Sequence, residues 1–316
     1  MRRRCAIRPL LAHAAVVVAG ALACATPGGN DPPSGAGTTR IPIRDRYAAA
    51  RLELLTAING DRRAAGVGSV DLDSLASVAA QAHAVAMTAG GFFGHYGVFG
   101  EAPYERLAAA GETGHVQENV YRWQVRSMAT VGGVDPWPAF DPRQAHHSLM
   151  ASPGHRETIV DPHRTHVGLG IAADSAGGAV YVVEEFVARH AEIEPPRLAL
   201  QESVTPLAGR MLDPALRPLL VLLRRDPAGA ASGGGPRPGP YTDGRGEGRI
   251  VPPWAIGWRP ALLAFELDLG PVLREPGRWY GVVYVAPRQI VERALAAGAV
   301  NTEQGWPGAA FLVDVY

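Results

Sequence analysis

Between Tyr47 and Met150 the apolar residues of this chain recur at helical spacing; after His166 they come in short runs, several of them alternating as strands do. A chain that is helical first and strand-rich afterwards reads as α+β. Leu52, Leu55 and Ile58 recur at three-residue steps, with Arg51, Glu53 and Arg62 on other faces and Gly66 ending the run. Asp73 has the chemistry of an N-cap ahead of Leu75, Val78, Ala79, Ala82, Val85 and Ala86. Pro103 opens a third helix, with Tyr104 and Leu107, that Gly111 stops, and Gln144 to Met150 form a short fourth. His166 to Ala172 and Ala179 to Val187 read as a hairpin across Ser175-Ala176-Gly177-Gly178. Both strands carry apolar residues on both faces, as a sheet with helices on each side requires.

The start of the chain has a different character. Arg2, Arg3, Arg4 and Arg8 precede an apolar run from Leu10 to Ala23, too short for a membrane span and suited to a signal peptide over 1–23. The run ends Ala21-Leu22-Ala23-Cys24, which resembles the lipobox of bacterial lipoproteins, with Ala21 where Leu is more usual. That resemblance implies lipidation at Cys24 and a protein exported to the cell envelope and held on a membrane. The two cysteines, Cys5 and Cys24, both belong to this leader, so the body has neither a disulfide nor a thiolate metal site. Residues 24–44 are rich in Pro, Gly, Ser and Thr and read as a tether. Formal net charge is zero over 316 residues, which argues against a nucleic-acid partner.

Length and pattern together divide the remainder into a mixed domain over 45–194 and a β-rich accessory domain over 195–316, with the boundary at Glu194-Pro195-Pro196. Strand-like runs at Leu219–Leu223, Leu262–Leu269, Arg278–Val285 and Ala310–Tyr316, with one helix near Ala286–Ala297, suggest a small antiparallel sandwich. Gly233 to Pro240 is a turn-rich stretch between them.

Three stretches bear chemistry. In Gly90-Gly91-Phe92-Phe93-Gly94-His95, glycines bracket two aromatics that anchor the loop and present His95. Glu118, in Gly114-His115-Val116-Gln117-Glu118-Asn119-Val120, is a carboxylate in a partly apolar setting, or else a surface residue of a polar turn. Ser152-Pro153-Gly154-His155-Arg156 sets His155 at the mouth of a turn. Glu184 and Glu185 lie on the last strand without a motif to nominate them, and His115, His146, His147, His163 and His166 read as solvent or loop residues, His115 being nearest to Glu118. Trp123, Trp137 and Phe140 either line a groove or cap the core.

Taken in order, Gly94-His95, Glu118-Asn119, Ser152-Pro153-Gly154-His155-Arg156 and His166-Val167-Gly168-Leu169-Gly170 resemble the bacterial branch of the CAP superfamily, across about residues 45 to 190. The resemblance implies a three-layer α-β-α sandwich with an open cleft in which His95, Glu118 and His155 converge. Leu149 and Gln117 depart from the family's usual Trp and Gly. Two imidazoles and a carboxylate can hold a divalent metal such as zinc, with His95 and His155 as ligands, or form a metal-free cluster. The leading expectation is a cleft that binds a lipid, a peptide or an envelope polymer. A hydrolase using metal-bound or His-activated water is the rival, and an adhesion or scaffold protein with a residual cleft is the third. No Ser or Cys nucleophile has a supporting motif.

Overall fold

A computed structural model describes residues 47–125, 135–194, 197–200, 206–225 and 248–316. The signal peptide, Cys24, the tether and the Gly233 to Pro240 stretch lie outside the described residues. The elements run α1 (Ala48–Ala64), β1 (Asp71–Leu72), α2 (Ser74–Gly90), α3 (Pro103–Ala109), β2 (His115–Gln124), α4 (Pro142–Met150), α5 (Pro153–Ile159), β3 (His166–Asp174) and β4 (Ala179–Ala188). β5 (Ala191–Glu194), β6 (Arg197–Leu200), β7 (Leu207–Met211), β8 (Leu216–Arg225), β9 (Arg249–Val251), β10 (Ile256–Arg259), β11 (Ala264–Leu267), β12 (Gly277–Pro287), α6 (Arg288–Ala297) and β13 (Trp306–Val315) follow.

The first sheet has the order β1-β3-β4-β2. β4 is central and antiparallel to both neighbours, and the short β1 runs parallel to β3. Side chains alternate faces along a strand. Val180, Val182 and Phe186 of β4 pack with Leu54 and Ile58 of α1, Leu149 of α4 and Ile159 of α5. Val183 and Tyr181 face the other way, with Ala80, Ala84 and Met87 of α2. The sheet is therefore covered on both faces, the expected α-β-α arrangement.

Local signals act where they were read. The Asp73 carboxylate accepts from the Ala76 amide at 2.6 Å as an N-cap, and Pro103 opens α3. Which helix faces turn inward differs from the sequence reading. In α1 the buried side chains are Ala50, Leu54, Ile58 and Arg62, while Leu52 is exposed. Arg62 is wholly buried because it donates to the carbonyls of Gly68, Ile159, Asp161 and Arg164, tying α1 to the end of α5. α2 buries Ala76, Ala79, Ala80, Ala84 and Met87 and leaves Leu75, Val78 and Val85 exposed. The reason lies in β3. A methyl group added at Gly168 or Gly170 would overlap the backbone of Ala76 or Ala80, so helix and strand approach at a distance that admits only alanine on the helix side. Trp137 and Phe140 stack at 5.7 Å, and Tyr47 meets Trp137 edge-on, so these aromatics cap the core between α1 and the sheet.

The C-terminal part is β-rich, with sheets β10-β11-β7-β5 and β6-β13-β12-β8-β9. Their facing sides enclose Ile193, Leu207, Phe265, Val283, Phe311 and Val313. β6 pairs parallel with β13, so this part is not wholly antiparallel. The other side of the β12–β13 pair packs Tyr280, Val282, Ala310 and Leu312 against Ala76, Tyr104, Leu107 and Val187 of the first part. Tyr104 and Tyr280 stack at 4.1 Å, and Arg278 bridges Glu105 at 2.6 Å and Asp314 at 2.8 Å. Burying one such large apolar side chain contributes about 1.5–3 kcal/mol, so a core shared by the two parts stabilises both.

Candidate functional site

Glu118 lies in a strand, not a turn: β2 is an edge strand, and Glu118 sits directly opposite Glu185 of β4. Val116 and Val120 share its face and pack toward α2 and α3, so Glu118 and Glu185 project under those helices, and both are buried. Asn119 and Glu184, one residue along each strand, are opposite each other on the far face.

His95 reaches Glu118 from the loop that follows α2. That helix stops at Gly91, whose φ of 63° is the left-handed conformation a helix C-cap favours. Phe92 packs against the core beside α2. The His83 ring, on α2, meets the carbonyl of Gly94 at 2.8 Å through Nε2 and so pins the residue just before His95. His95 Nδ1 is 2.8 Å from Glu118 Oε1. With Glu118 ionised, that contact places the imidazole proton on Nδ1 and the lone pair on Nε2.

Arg106 of α3 completes the network. Its Nη2 donates to Glu118 Oε2 at 2.5 Å and lies 3.6 Å from Glu185 Oε1, while its Nη1 donates to the carbonyls of His95 and Glu101, each at 2.9 Å. One guanidinium thus faces two buried carboxyl groups. Neither oxygen of Glu185 has a hydrogen-bond partner among the described residues. Burial and the neighbouring Glu118 push the Glu185 carboxyl well above the usual range, and burial raises Glu118 as well, against the pull of Arg106. The proton belongs on Glu185, because Arg106 and His95 both donate to Glu118. Burial, and then repulsion from Arg106, drop His83 to about 3, so its ring is neutral. Burial also lowers His95, and the Arg106 charge adds to it.

His155 is not in a turn. Pro153 takes the first position of α5, after Ser152 at the N-cap, which carries His155 on the third residue of the helix. It is partly buried, and its backbone carbonyl accepts from Asn119 Nδ2 at 3.2 Å. Burial, and then the nearby His95, lower its pKa. The structure thus joins His95 directly to Glu118 and brings His155 within the electrostatic reach of His95, from the opposite side of β2. His115 is buried on the other face of β2 from Glu118, against Arg164, and His146 is buried against Asp61. His163 stacks on Trp306 at 4.2 Å, and His166 meets Thr165 Oγ1 at 2.8 Å.

Glu118 itself is not free to ligate a metal. Among the described residues no group of three or more His, Cys, Asp or Glu is placed to hold one. Both oxygens of Glu118 are engaged, and a cation there would meet the Arg106 guanidinium. Beside the network, between α2 and α3, is a hollow of about 530 Å³ lined mainly by Val78, Ala82, Ala86, Val98 and Phe99, with His83, Glu101, Glu105 and Arg106 as its polar residues.

Sequence reading missed Arg106 and Glu185. Two consecutive glutamates inside an otherwise apolar strand, expected to be covered on both faces, were the available signal for Glu185. Arg106 left none, since only the packing of α3 against β2 brings it to Glu118.

Residues 55–186 match the sequence model of the cysteine-rich secretory protein family, CAP. Among solved structures, an outer surface protein of Borrelia burgdorferi is 14% identical, with a TM-score of 0.38 over 45% of this chain and 95% of that one. An extracellular protein containing an SCP domain from Bacillus anthracis is 16% identical, with a TM-score of 0.38 over 49% of this chain and 45% of that one. A cysteine-rich secretory protein of Staphylococcus aureus is 16% identical, with a TM-score of 0.31 over 45% of this chain and 39% of that one. The chain therefore covers less than half the length of these last two. No curated protein matches it. Over residues 55–186 the chain is thus similar to the CAP domain of the cysteine-rich secretory protein family.

Proposed function

We propose that this is an exported, envelope-associated CAP-domain protein that binds a ligand in the hollow between α2 and α3, beside the His95–Glu118–Arg106 network. The observation that carries this reading is the hollow of about 530 Å³, walled mainly by alanine and valine, with His83, Glu101, Glu105 and Arg106 as its few polar residues. Such a pocket favours a ligand with an apolar body and one polar end, such as a lipid or an apolar peptide. Glu118 orients His95 rather than meeting the ligand. Lipidation at Cys24 would hold the protein on a membrane.

The direct test is displacement of a fluorescent acyl probe by phospholipids, apolar peptides and cell-wall fragments. Ala82→Trp fills the hollow without touching the His95–Glu118 pair and should abolish probe binding. Equal binding by wild type and Ala82→Trp would sink the reading. Cys24→Ala should release the protein from the membrane fraction; continued membrane association would count against lipidation.

One observation favours a second reading, hydrolysis. A neutral His95 oriented by Glu118 has the arrangement of a general base. It requires turnover on an ester and peptide panel that is lost in His95→Ala, and undiminished turnover in that variant would remove His95 from the chemistry.

A further inference from the structure

The face of the sheet behind Glu118 carries a separate polar cluster that the site described above does not use. Glu184 follows Glu118's partner strand position by alternation onto this face and is fully buried there. His146 of α4 is buried beside it. Its Nε2 is 2.9 Å from Asp61 Oδ2 of α1, and its Nδ1 is 4.0 Å from Glu184 Oε1. Neither His146 Nδ1 nor Glu184 Oε1 has a hydrogen-bond partner among the described residues. Glu184 Oε2 accepts from Asn119 Nδ2 at 3.2 Å, and the same amide donates to the His155 carbonyl at 3.2 Å. A neutral imidazole has one N–H and one lone pair, so between two carboxylates it turns a lone pair toward one of them. An imidazolium presents a proton to each.

We infer that His146 is a buried imidazolium clasped between Asp61 and Glu184, and that this clasp positions the α4–α5 segment carrying His155. α4 passes through Ala151 and Ser152 directly into α5, so the anchor of one helix sets the start of the next. The positioning role rests on the ligand-binding reading of the site; the charge on His146 does not.

The charged groups around it come from each packed element. Asp61 faces it from α1, whose neighbouring Arg62 is turned to backbone carbonyls. Glu184 faces it from β4, the neutral Asn119 of β2 sits against Glu184, and His155 of α5 lies in the field of Glu184. On α4 itself, Arg143 and His147 are exposed. Burial disfavours the charge, but Glu184 and Asp61 outweigh it, and the His146 pKa rises above its ordinary value. A histidine raised on folding contributes stability that is complete below its unfolded value of 6.5 and is lost as pH rises through the folded value. The clasp therefore loosens on the alkaline side.

The test uses long-range ¹H–¹⁵N spectra of the histidine rings in the full chain, with His146 assigned from His146→Gln. The ring should titrate with a midpoint above 6.5, both nitrogens carrying protons below it. Asp61→Asn should lower the titration midpoint by about one unit, a tenfold loss of proton affinity. Asp61 is partly exposed, so this variant keeps the test open if His146→Gln fails to fold. Hydrogen exchange at the α5 amides should speed up in Asp61→Asn at pH 7 and in wild type only at higher pH. A midpoint at or below 6.5 overturns the clasp. A charged ring with α5 exchange unchanged in Asp61→Asn overturns the positioning role. Failure of the ligand-binding reading would alter neither result.

Discussion

Replacing Glu118 and Glu185 separately by glutamine distinguishes two carboxyls that face each other across β2 and β4. Glu118→Gln removes the charge that accepts from Arg106 at 2.5 Å and from His95 at 2.8 Å. Removing one partner of a buried ion pair costs about 3–5 kcal/mol. Glu185, 3.6 Å from the same guanidinium, can ionise in its place and offset part of this. The net loss should be about 2–4 kcal/mol. Glu185→Gln exchanges a protonated carboxyl for a neutral amide of the same shape, and below pH 4.5, where the unfolded chain also carries the proton, should change stability by less than about 1 kcal/mol. The pH dependence has a definite sign. A carboxyl raised on folding contributes stability that is present below its ordinary value of 4.5 and lost as pH rises through the folded value. Glu185→Gln should therefore gain on wild type as pH increases from about 5 to 8. Urea unfolding of the three proteins at both pH values measures this. Equal destabilisation by the two glutamines, or a Glu185→Gln deficit that grows with pH, would refute the assignment of the proton to Glu185.

Gly170→Ala should be among the most damaging single substitutions in the chain, because its methyl group meets the Ala80 backbone and no side chain can move aside. A loss of about 3 kcal/mol or more is expected in urea unfolding, and a near-neutral result would contradict the close approach of α2 to β3. His83 predicts acid sensitivity. Its folded pKa of about 3 lies below the unfolded 6.5, so the unfolded chain takes up a proton that the folded one refuses, and stability falls as pH drops between those values. From pH 6.5 to 4.5 this amounts to roughly 2–3 kcal/mol, which should be absent in His83→Gln, whose amide can still donate to the Gly94 carbonyl.

Much of the architecture could be read from local chemistry. Asp73 capped the helix it was expected to cap, Pro103 opened α3, and the β3–β4 hairpin formed across its Gly-rich turn. Local periodicity misled where tertiary contact chose the inward face. Leu75, Val78 and Val85 are the larger apolar residues of α2, yet Gly168 and Gly170 bring the strand too close for anything but the alanines. Arg62 looked like a surface cation, but the carbonyls that hold it come mostly from the far end of α5. At the site, His95 and Glu118 were legible because glycines mark the loop of His95 and a Glu-Asn pair marks Glu118. Glu185 and Arg106 were not, since strand register and helix docking, rather than spacing along the chain, bring them there. The Pro-Gly pair suggests a turn at His155; as the first residue of a helix Pro153's missing N–H costs nothing, and His155 sits inside α5.

The central claim is that Glu118 is committed internally to Arg106 and His95, so that His95 presents a neutral, oriented ring with its lone pair on Nε2. Ring ¹⁵N spectra of His95 at pH 7, recorded in wild type and in Glu118→Gln, test it most directly. The expected result is a His95 ring protonated on Nδ1 in wild type, with that preference weakened in Glu118→Gln. A His95 protonated on Nε2 in wild type would contradict the account.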